Sequence, residues 1–343
     1  MKARILMAVV TITALFTAPF SYAADDDIGI FETVYASDVS FDETVAALDA
    51  AFATSGLLLH AAHDVRLPDD THKARVYVLT SPTYADAAKD ESARTVSAQV
   101  LRIGVYTTGE EQKTFVNMAN PVAHAMVFYA DSANYDALVA AAGAAAEEIR
   151  QLVAAIPGTA LSEQREPMRK EKHYNKFKGD GPARMMAKFR NFEKSQPEIL
   201  EDDNADVDAM VETVRAAIAA RPVSGADEST GWDEVAVIKL RDDVTYIGVT
   251  NPYIEDRMVQ INSRFRKDGK SDNSPFPGVD HVAALPTEIL VVREGDGTKV
   301  LHYGQMWRMQ LYFWDSGYRA FTANVGVPSA IAGSIEDTVD AGD

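Results

Sequence analysis

The feature that most constrains the fold is a unit of strand, tight turn, strand and helix that occurs twice in the chain. The first copy contains the strands Leu101–Tyr106 and Lys113–Met118, followed by an Ala-rich run with helical character. The matching segments near the C-terminus are Glu288–Val292 and Lys299–Gly304. Because the segments match in the same order, we predict an internal duplication in which each copy is an α+β unit.

Hydrophobic spacing and capping residues predict the other elements. Ser40 followed by Glu43 is a capping-box pattern that opens a helix in the first copy. Asp206–Ala220 gives the corresponding helix of the second copy, whose first strand is not evident from the sequence. The predicted order in each copy is strand, helix, four strands, helix. The segment Val122–Tyr129 leads into the closing helix of the first copy, and an additional short strand is an alternative for it.

Several short motifs carry a family resemblance. They are Phe41-Asp42-Glu43-Thr44, Gly56, Asn251-Pro252, the strand Pro286–Val292 and the hairpin residues Gly297-Thr298-Lys299. With these motifs the chain resembles a tandem pair of domains of the domain-of-unknown-function family 302. The resemblance implies two similar β-α-β4-α domains of the TATA-box-binding-protein-like group, with antiparallel sheets and helices on one face. It implies no reaction and no catalytic residues.

The chain is therefore predicted to have four parts. These are a signal peptide (1–23), a first α+β domain (24–155), a basic linker with a short amphipathic helix (156–204), and a second α+β domain (205–343) with an insertion at 264–281.

The first 23 residues have the pattern of a secretory signal. Lys2 and Arg4 precede an apolar run from Ile5 to Phe20, and Ser21-Tyr22-Ala23 has the small-residue spacing of a cleavage site. The run is shorter than the roughly 20 apolar residues that a membrane-spanning helix needs. The sequence contains no Cys, so it can form no disulfide and carry no lipid-modified Cys. We expect cleavage near Ala23, export to the periplasm and no integral membrane segment in the mature protein.

The charge of the chain limits its partners. The formal net charge is −18 at pH 7, which argues against general nucleic-acid binding, because that binding depends on neutralising phosphates. The segment Arg165–Lys194 is basic by contrast, and Met185, Phe189 and Phe192 are spaced like one face of a short helix.

Three interpretations of this basic segment are open. It docks on the acidic domains of its own chain, it is a solvated linker, or it binds an anionic partner or membrane surface. Arg184, Lys188 and Arg190 are the candidate partner-binding residues.

Metal ligands are sparse but present. His60 and His63 are close in sequence, and imidazole suits zinc or copper. His302, Met306 and Met309 offer softer ligands that would suit copper. Surface histidines and core methionines explain the same residues without a metal. We predict no cofactor, with copper or zinc as the alternative.

An aromatic cluster in the second copy is the candidate ligand site. Its members are Tyr303, Trp307, Tyr312, Phe313 and Trp314. Aromatic side chains of this kind line pockets for apolar ligands and surfaces for protein partners.

The sequence lacks the common catalytic signatures, such as HExxH, GxSxG and a Walker loop. We therefore predict a non-catalytic binding protein whose ligand is a small apolar molecule or a protein. The alternatives are a metal-assisted or hydrolytic enzyme and an assembly protein that uses the basic segment. The sequence does not determine the oligomeric state.

Overall fold

A computed structural model describes residues 27–176, 185, 192–223, 229–260, 278–314 and 317–340. Within them the chain forms two antiparallel sheets with helices packed on them, so the predicted α+β class is confirmed. The predicted signal peptide and residues 264–277 of the predicted insertion lie outside the described residues. No helix in the described part of the chain has the length and apolar character needed to cross a bilayer.

The first sheet has six strands in the order β2-β3-β4-β5-β1-β6. The strands are β1 (Ile28–Ser37), β2 (Leu58–Val65), β3 (Ala74–Thr80), β4 (Val100–Thr108), β5 (Lys113–Ala119) and β6 (Gly158–Arg169). The inner strands β3 and β4 are almost wholly buried, whereas the edge strand β2 is largely exposed.

Five helices accompany this sheet. They are α1 (Phe41–Phe52), α2 (Pro82–Ala87), α3 (Pro121–Phe128), α4 (Tyr135–Val153) and α5 (Glu171–Asn175). The predicted capping box at α1 is confirmed, with both the Ser40 and the Glu43 hydrogen bonds formed. Helix α3 lies where an additional strand was the alternative, and Asn120 caps it through the backbone N–H of Val122. All residues of α3 are buried, so its sequence has no amphipathic period that would distinguish a helix from a strand.

The second sheet has five strands in the order β7-β11-β10-β9-β8. They are β7 (Glu198–Asp202), β8 (Asp233–Arg241), β9 (Val244–Thr250), β10 (Thr287–Glu294) and β11 (Gly297–His302). The helices of this half are α6 (Val207–Ala220), α7 (Pro252–Val259), α8 (Gln305–Phe313), α9 (Gly317–Asn324) and α10 (Val327–Asp340). Strand β7 is the first strand that the sequence did not reveal. It is short and rich in acidic residues, so it lacks an apolar alternation.

The residues between the predicted domains contain more regular structure than a linker would. Strand β6 pairs with β1 and extends the first sheet past residue 155, and β7 begins the second sheet before residue 205. Both predicted boundaries are corrected by these pairings. Strand β6 escaped prediction because its sequence is mostly polar and its side chains are largely exposed. The three basic residues Arg184, Lys188 and Arg190, and most of the predicted amphipathic helix, lie outside the described residues.

The two sheets share one topology. In the first sheet Val78, three residues before the Ser81 cap of α2, pairs with Arg102. In the second sheet Gly248, three residues before the Asn251 cap of α7, pairs with Glu288. Leaving out β6, the strand orders of the two sheets correspond one to one. Arg102 and Glu288 are therefore at equivalent positions of the two sheets.

The halves are packed against each other rather than held apart. The 3₁₀ helix Val279–Ala284 of the second half lies on strands β3, β4 and β5 of the first sheet. Asn117 of β5 donates its side-chain N–H to the carbonyl of Asp280, and Arg165 of β6 pairs with the Asp280 carboxylate at 3.1 Å. The buried apolar residues of both halves form one continuous core, so the two-domain organisation stays a prediction.

Gly104 on β4 is required by this packing. A Cβ placed there would overlap the side chains of Val282 and Asn117. We expect Gly104→Ala to lower the free energy of unfolding by about 1–3 kcal/mol, the range typical of overpacked cores. Gly56→Ala is the matched control, since a Cβ at Gly56 meets nothing within 4 Å. Urea denaturation of both variants checks this, and equal stabilities would contradict the close packing of the 3₁₀ helix on β4.

Candidate functional site

The histidines predicted as metal ligands have separate partners. His60 lies on the exposed edge strand β2, with its Nε2 2.9 Å from the Thr80 hydroxyl. His63 pairs with Glu255 of α7 at 2.7 Å. His302 is buried, with ring nitrogens 2.8 Å from the Tyr303 carbonyl and 3.2 Å from the Glu336 carboxylate.

The other predicted soft ligands are two methionines of the second half. Met306 and Met309 are half-buried on α8. Among the residues that the structure describes, no group of three or more His, Asp or Glu side chains could hold a metal ion.

The predicted aromatic cluster divides into three parts. Tyr303 and Trp307 are buried against Phe128 of α3 and Phe192, with ring centroids 4.7–6.1 Å apart in the pairs that involve Trp307. This contact joins the two halves and the segment that precedes β7. Phe313 lines a pocket described below, and the half-buried Trp314 packs against Phe321 at 5.4 Å. Tyr312 belongs to a buried polar network.

That network has a single carboxylate between two guanidinium groups. Glu288 Oε1 accepts from Arg102 Nη1 at 2.6 Å, and Glu288 Oε2 accepts from Arg308 Nε. The side chains of Glu288, Arg308 and Arg102 are 1%, 4% and 5% exposed, respectively. Arg308 Nη2 also donates to the carbonyls of Ala284 and Pro286. In a medium this poor in water each of these ion pairs holds its geometry firmly, because an unpaired charge would be costly there.

His124 and Tyr312 extend the network as neutral groups. His124 Nδ1 lies 2.8 Å from the Asn120 carbonyl, which can only accept, so Nδ1 carries the proton. The Tyr312 hydroxyl accepts from Arg102 Nη2 at 2.6 Å and donates to His124 Nε2 at 2.8 Å. Burial and the nearby Arg102 charge lower the pKa of His124 to about 3. Burial raises the pKa of Tyr312.

The result is an excess of positive charge in the core. Burial acts to lower the pKa of Arg102, but the Tyr312 hydroxyl and the Glu288 carboxylate outweigh it, so the pKa is raised and Arg102 stays charged. The trio of Arg102, Glu288 and Arg308 therefore carries two positive charges and one negative charge.

These residues lie at corresponding positions of the two halves. Arg102 and Glu288 are equivalent positions of β4 and β10, and they meet across the two halves. His124 and Arg308 are each four residues after the cap of a corresponding helix, Asn120 for α3 and Gly304 for α8. The network therefore contains two pairs of corresponding positions, and the residues of each pair differ in charge.

A pocket opens on the other side of Arg308. Helices α7, α8, α9 and α10 line a half-open pocket of about 150 Å³. Its lining is Ile254, Arg257, Met258, Gln260, Gln305, Arg308, Met309, Phe313, Phe321, Asn324, Val327, Pro328 and Ile331. Most of these side chains are apolar, and the polar ones are arginines and amides. A concave apolar site with a few polar groups is the usual form of a small-molecule site.

Arg308 links the pocket to the network, and sequence reasoning missed it. Phe313 of the predicted aromatic cluster lines the pocket, and so does Met309, which was predicted as a metal ligand. Arg102, Glu288, His124 and Arg308 were not singled out. The sequence does mark Arg102 and Glu288, because both are charged residues inside apolar strands at matching positions of the predicted repeat.

Comparisons with known proteins give no relative for this chain. No protein-family model matches it, and neither the curated proteins nor the solved structures contain a significant match. The assignment of a function therefore depends on the site itself.

Because the network has one carboxylate and two guanidinium groups, we expect the loss of the carboxylate to lower stability more than the loss of one guanidinium group. Glu288→Gln leaves two buried guanidinium groups without their counter-charge, and we expect it to cost about 3–5 kcal/mol of unfolding free energy. Arg102→Met leaves the Glu288–Arg308 pair intact and should cost about 1–3 kcal/mol. Chemical denaturation of both variants at neutral pH measures the difference. Equal losses, or a larger loss for Arg102→Met, would contradict the assigned charges.

The buried neutral His124 predicts a pH dependence. Above pH 6.5 the His124 imidazole is neutral in both the folded and the unfolded chain. Below pH 6.5 the unfolded chain binds a proton at this imidazole, whereas the folded chain binds it only near pH 3. Stability from this group is thus complete above pH 6.5 and is lost as the pH falls, by at most about 1.4 kcal/mol per pH unit. Urea denaturation from about pH 7 to about pH 4 should show a shallower decline for His124→Gln than for the unmodified protein. Parallel curves would show that His124 is not held neutral.

Proposed function

We propose that the chain is a non-catalytic binding protein that holds a small apolar ligand in the pocket between α7 and α10. The observation that supports this proposal is the cavity of about 150 Å³ with its lining of Met, Phe, Ile, Val and Pro side chains. Pre-formed cavities of this composition release ordered water and gain dispersion contacts when an apolar ligand enters. The proposed ligand site is next to the predicted aromatic cluster, and Phe313 belongs to both.

The setting of this function is also a proposal. The signal-like pattern of Met1–Ala23 supports export to the periplasm, where a small-molecule carrier or sensor would meet its ligand. The matching strand orders support a tandem pair of domains of the kind that the resemblance to family 302 implies. The acidic net charge of −18 favours a soluble exported protein.

The two alternative functions receive less support from the described residues. A metal-assisted enzyme needs convergent ligands, whereas His60, His63 and His302 have three different sets of partners. An assembly function through the basic segment depends on Arg184, Lys188 and Arg190, which lie outside the described residues.

Filling the pocket tests the proposal. Toluene should raise the melting temperature of the unmodified protein, because a ligand that binds only the folded state stabilises it by mass action. Val327→Phe places a larger side chain in the pocket lining and should abolish this shift. Val325→Phe is the matched control, since Val325 is 41% exposed and does not line the pocket. No shift in the unmodified protein, or an equal shift in Val327→Phe, would refute the pocket as the ligand site.

A further inference from the structure

Arg308 is an uncommon residue to find in the wall of an apolar pocket. Its Nε and Nη2 donate to Glu288 and to the carbonyls of Ala284 and Pro286. Its Nη1 has no hydrogen-bond partner among the residues that the structure describes. Nη1 is not one of the fully buried polar atoms, and Arg308 lines the pocket, so Nη1 is the guanidinium donor that remains available to a ligand there.

The charges of Arg102, Glu288 and Arg308 do not balance, because there is one negative group for two positive ones. Glu288 is shared between Arg308 and Arg102, while His124 and Tyr312 contribute hydrogen bonds without charge. One anion close to Arg308 would balance the trio. A buried charge is tolerated best when it is both paired and hydrogen-bonded.

The composition of the pocket lining suits the binding of that anion. Among the residues that the structure describes, the lining includes two arginines, Arg257 and Arg308, and neither Asp nor Glu. Arg257 is exposed at the rim of the pocket, and its guanidinium lies over the ring of Tyr253, at 5.1 Å. In a chain with a net charge of −18, a described lining with arginines and without acidic residues differs from the overall composition. Arginine donors match a carboxylate well because the fork of N–H groups fits its two oxygens.

The volume sets the size of the apolar part. A dry apolar cavity of about 150 Å³ holds one benzene molecule, and the pocket has this volume. The body of the ligand is therefore close to one aromatic ring or a short alkyl chain. A long-chain lipid would not fit within the enclosed part.

We infer that the pocket takes a small monocarboxylate with an apolar body the size of one ring, whose carboxylate is bound by Arg308 and by Arg257. This inference rests on the proposed function, because it names the class of ligand for the same pocket. Arg308 is the specificity-determining group. Glu288 holds its guanidinium in a fixed orientation, and Nη1 donates a hydrogen bond to the ligand carboxylate. Arg257 contributes a weaker attraction from the rim.

Isothermal titration calorimetry with three probes of one size tests the inference. Phenylacetate carries the anion, phenylacetamide is its neutral counterpart, and 2-phenylethylamine carries a positive charge. Because a hydrogen bond to a charged group is worth about 1.5–3 kcal/mol, phenylacetate should bind about 10- to 100-fold more tightly than phenylacetamide. The amine should bind most weakly, since its charge repels both arginines.

Variants separate the contribution of the arginines from that of the apolar walls. Arg257→Gln should weaken phenylacetate about two- to fivefold, as expected for an exposed charge, and leave the toluene shift unchanged. Arg215→Gln, which removes a half-buried arginine of α6 that does not line the pocket, is the control and should change neither. Because these variants leave the buried network intact, loss of folding does not complicate the result.

The outcomes distinguish this inference from the proposed function. If phenylacetate and phenylacetamide bind equally while toluene still raises the melting temperature, the pocket is an apolar site and the carboxylate inference is wrong. Tightest binding of the amine would overturn it as well. If neither toluene nor any of the three probes binds, the proposed function fails together with the inference.

Discussion

The rest of the structure depends on the ion pairs of the Glu288 carboxylate. Glu288 lies on the second sheet and accepts hydrogen bonds from Arg102 of the first sheet and from Arg308 of helix α8. Removing one partner from a buried ion pair costs far more than the pair contributes over an apolar substitute, so the trio acts mainly to fix geometry. It sets how the two sheets meet, and it sets the orientation of the guanidinium group that lines the pocket.

The different residues at two equivalent positions give a physical reason for this arrangement. If the same charged residue stood at positions 102 and 288, two like charges would meet in the core and repel each other. Arg in one copy and Glu in the other remove that conflict. The second difference, His124 in one copy and Arg308 in the other, supplies a neutral group on one side and a second cation on the other. Only the second copy therefore has a cation to present to the pocket.

The sequence predicted the fold better than it predicted the site. The apolar strands β3, β4, β9 and β10 and the capped helix α1 followed from local patterns, because burial and capping leave a mark on the sequence. Strands β6 and β7 have no clear sequence pattern, because these polar edge strands are held by backbone pairing rather than by the burial of alternating apolar side chains. The pocket depends on four helices meeting in space. Phe313 and Met309 were within reach of prediction, whereas the role of Arg308 follows from its distance to Glu288, which no spacing in the sequence encodes.

The role of Arg308 is tested most directly by a crystal structure with 4-iodobenzoate bound, in which the anomalous signal of iodine locates one end of the ligand. We expect an iodine peak in the apolar part of the pocket near Phe321 and Ile331, with the carboxylate within about 3 Å of Arg308 Nη1. We also expect Glu288 to stay between Arg102 and Arg308. A pocket without iodine, or a ligand bound with its carboxylate in solvent and its iodine against Arg308, would contradict the role given to the buried network.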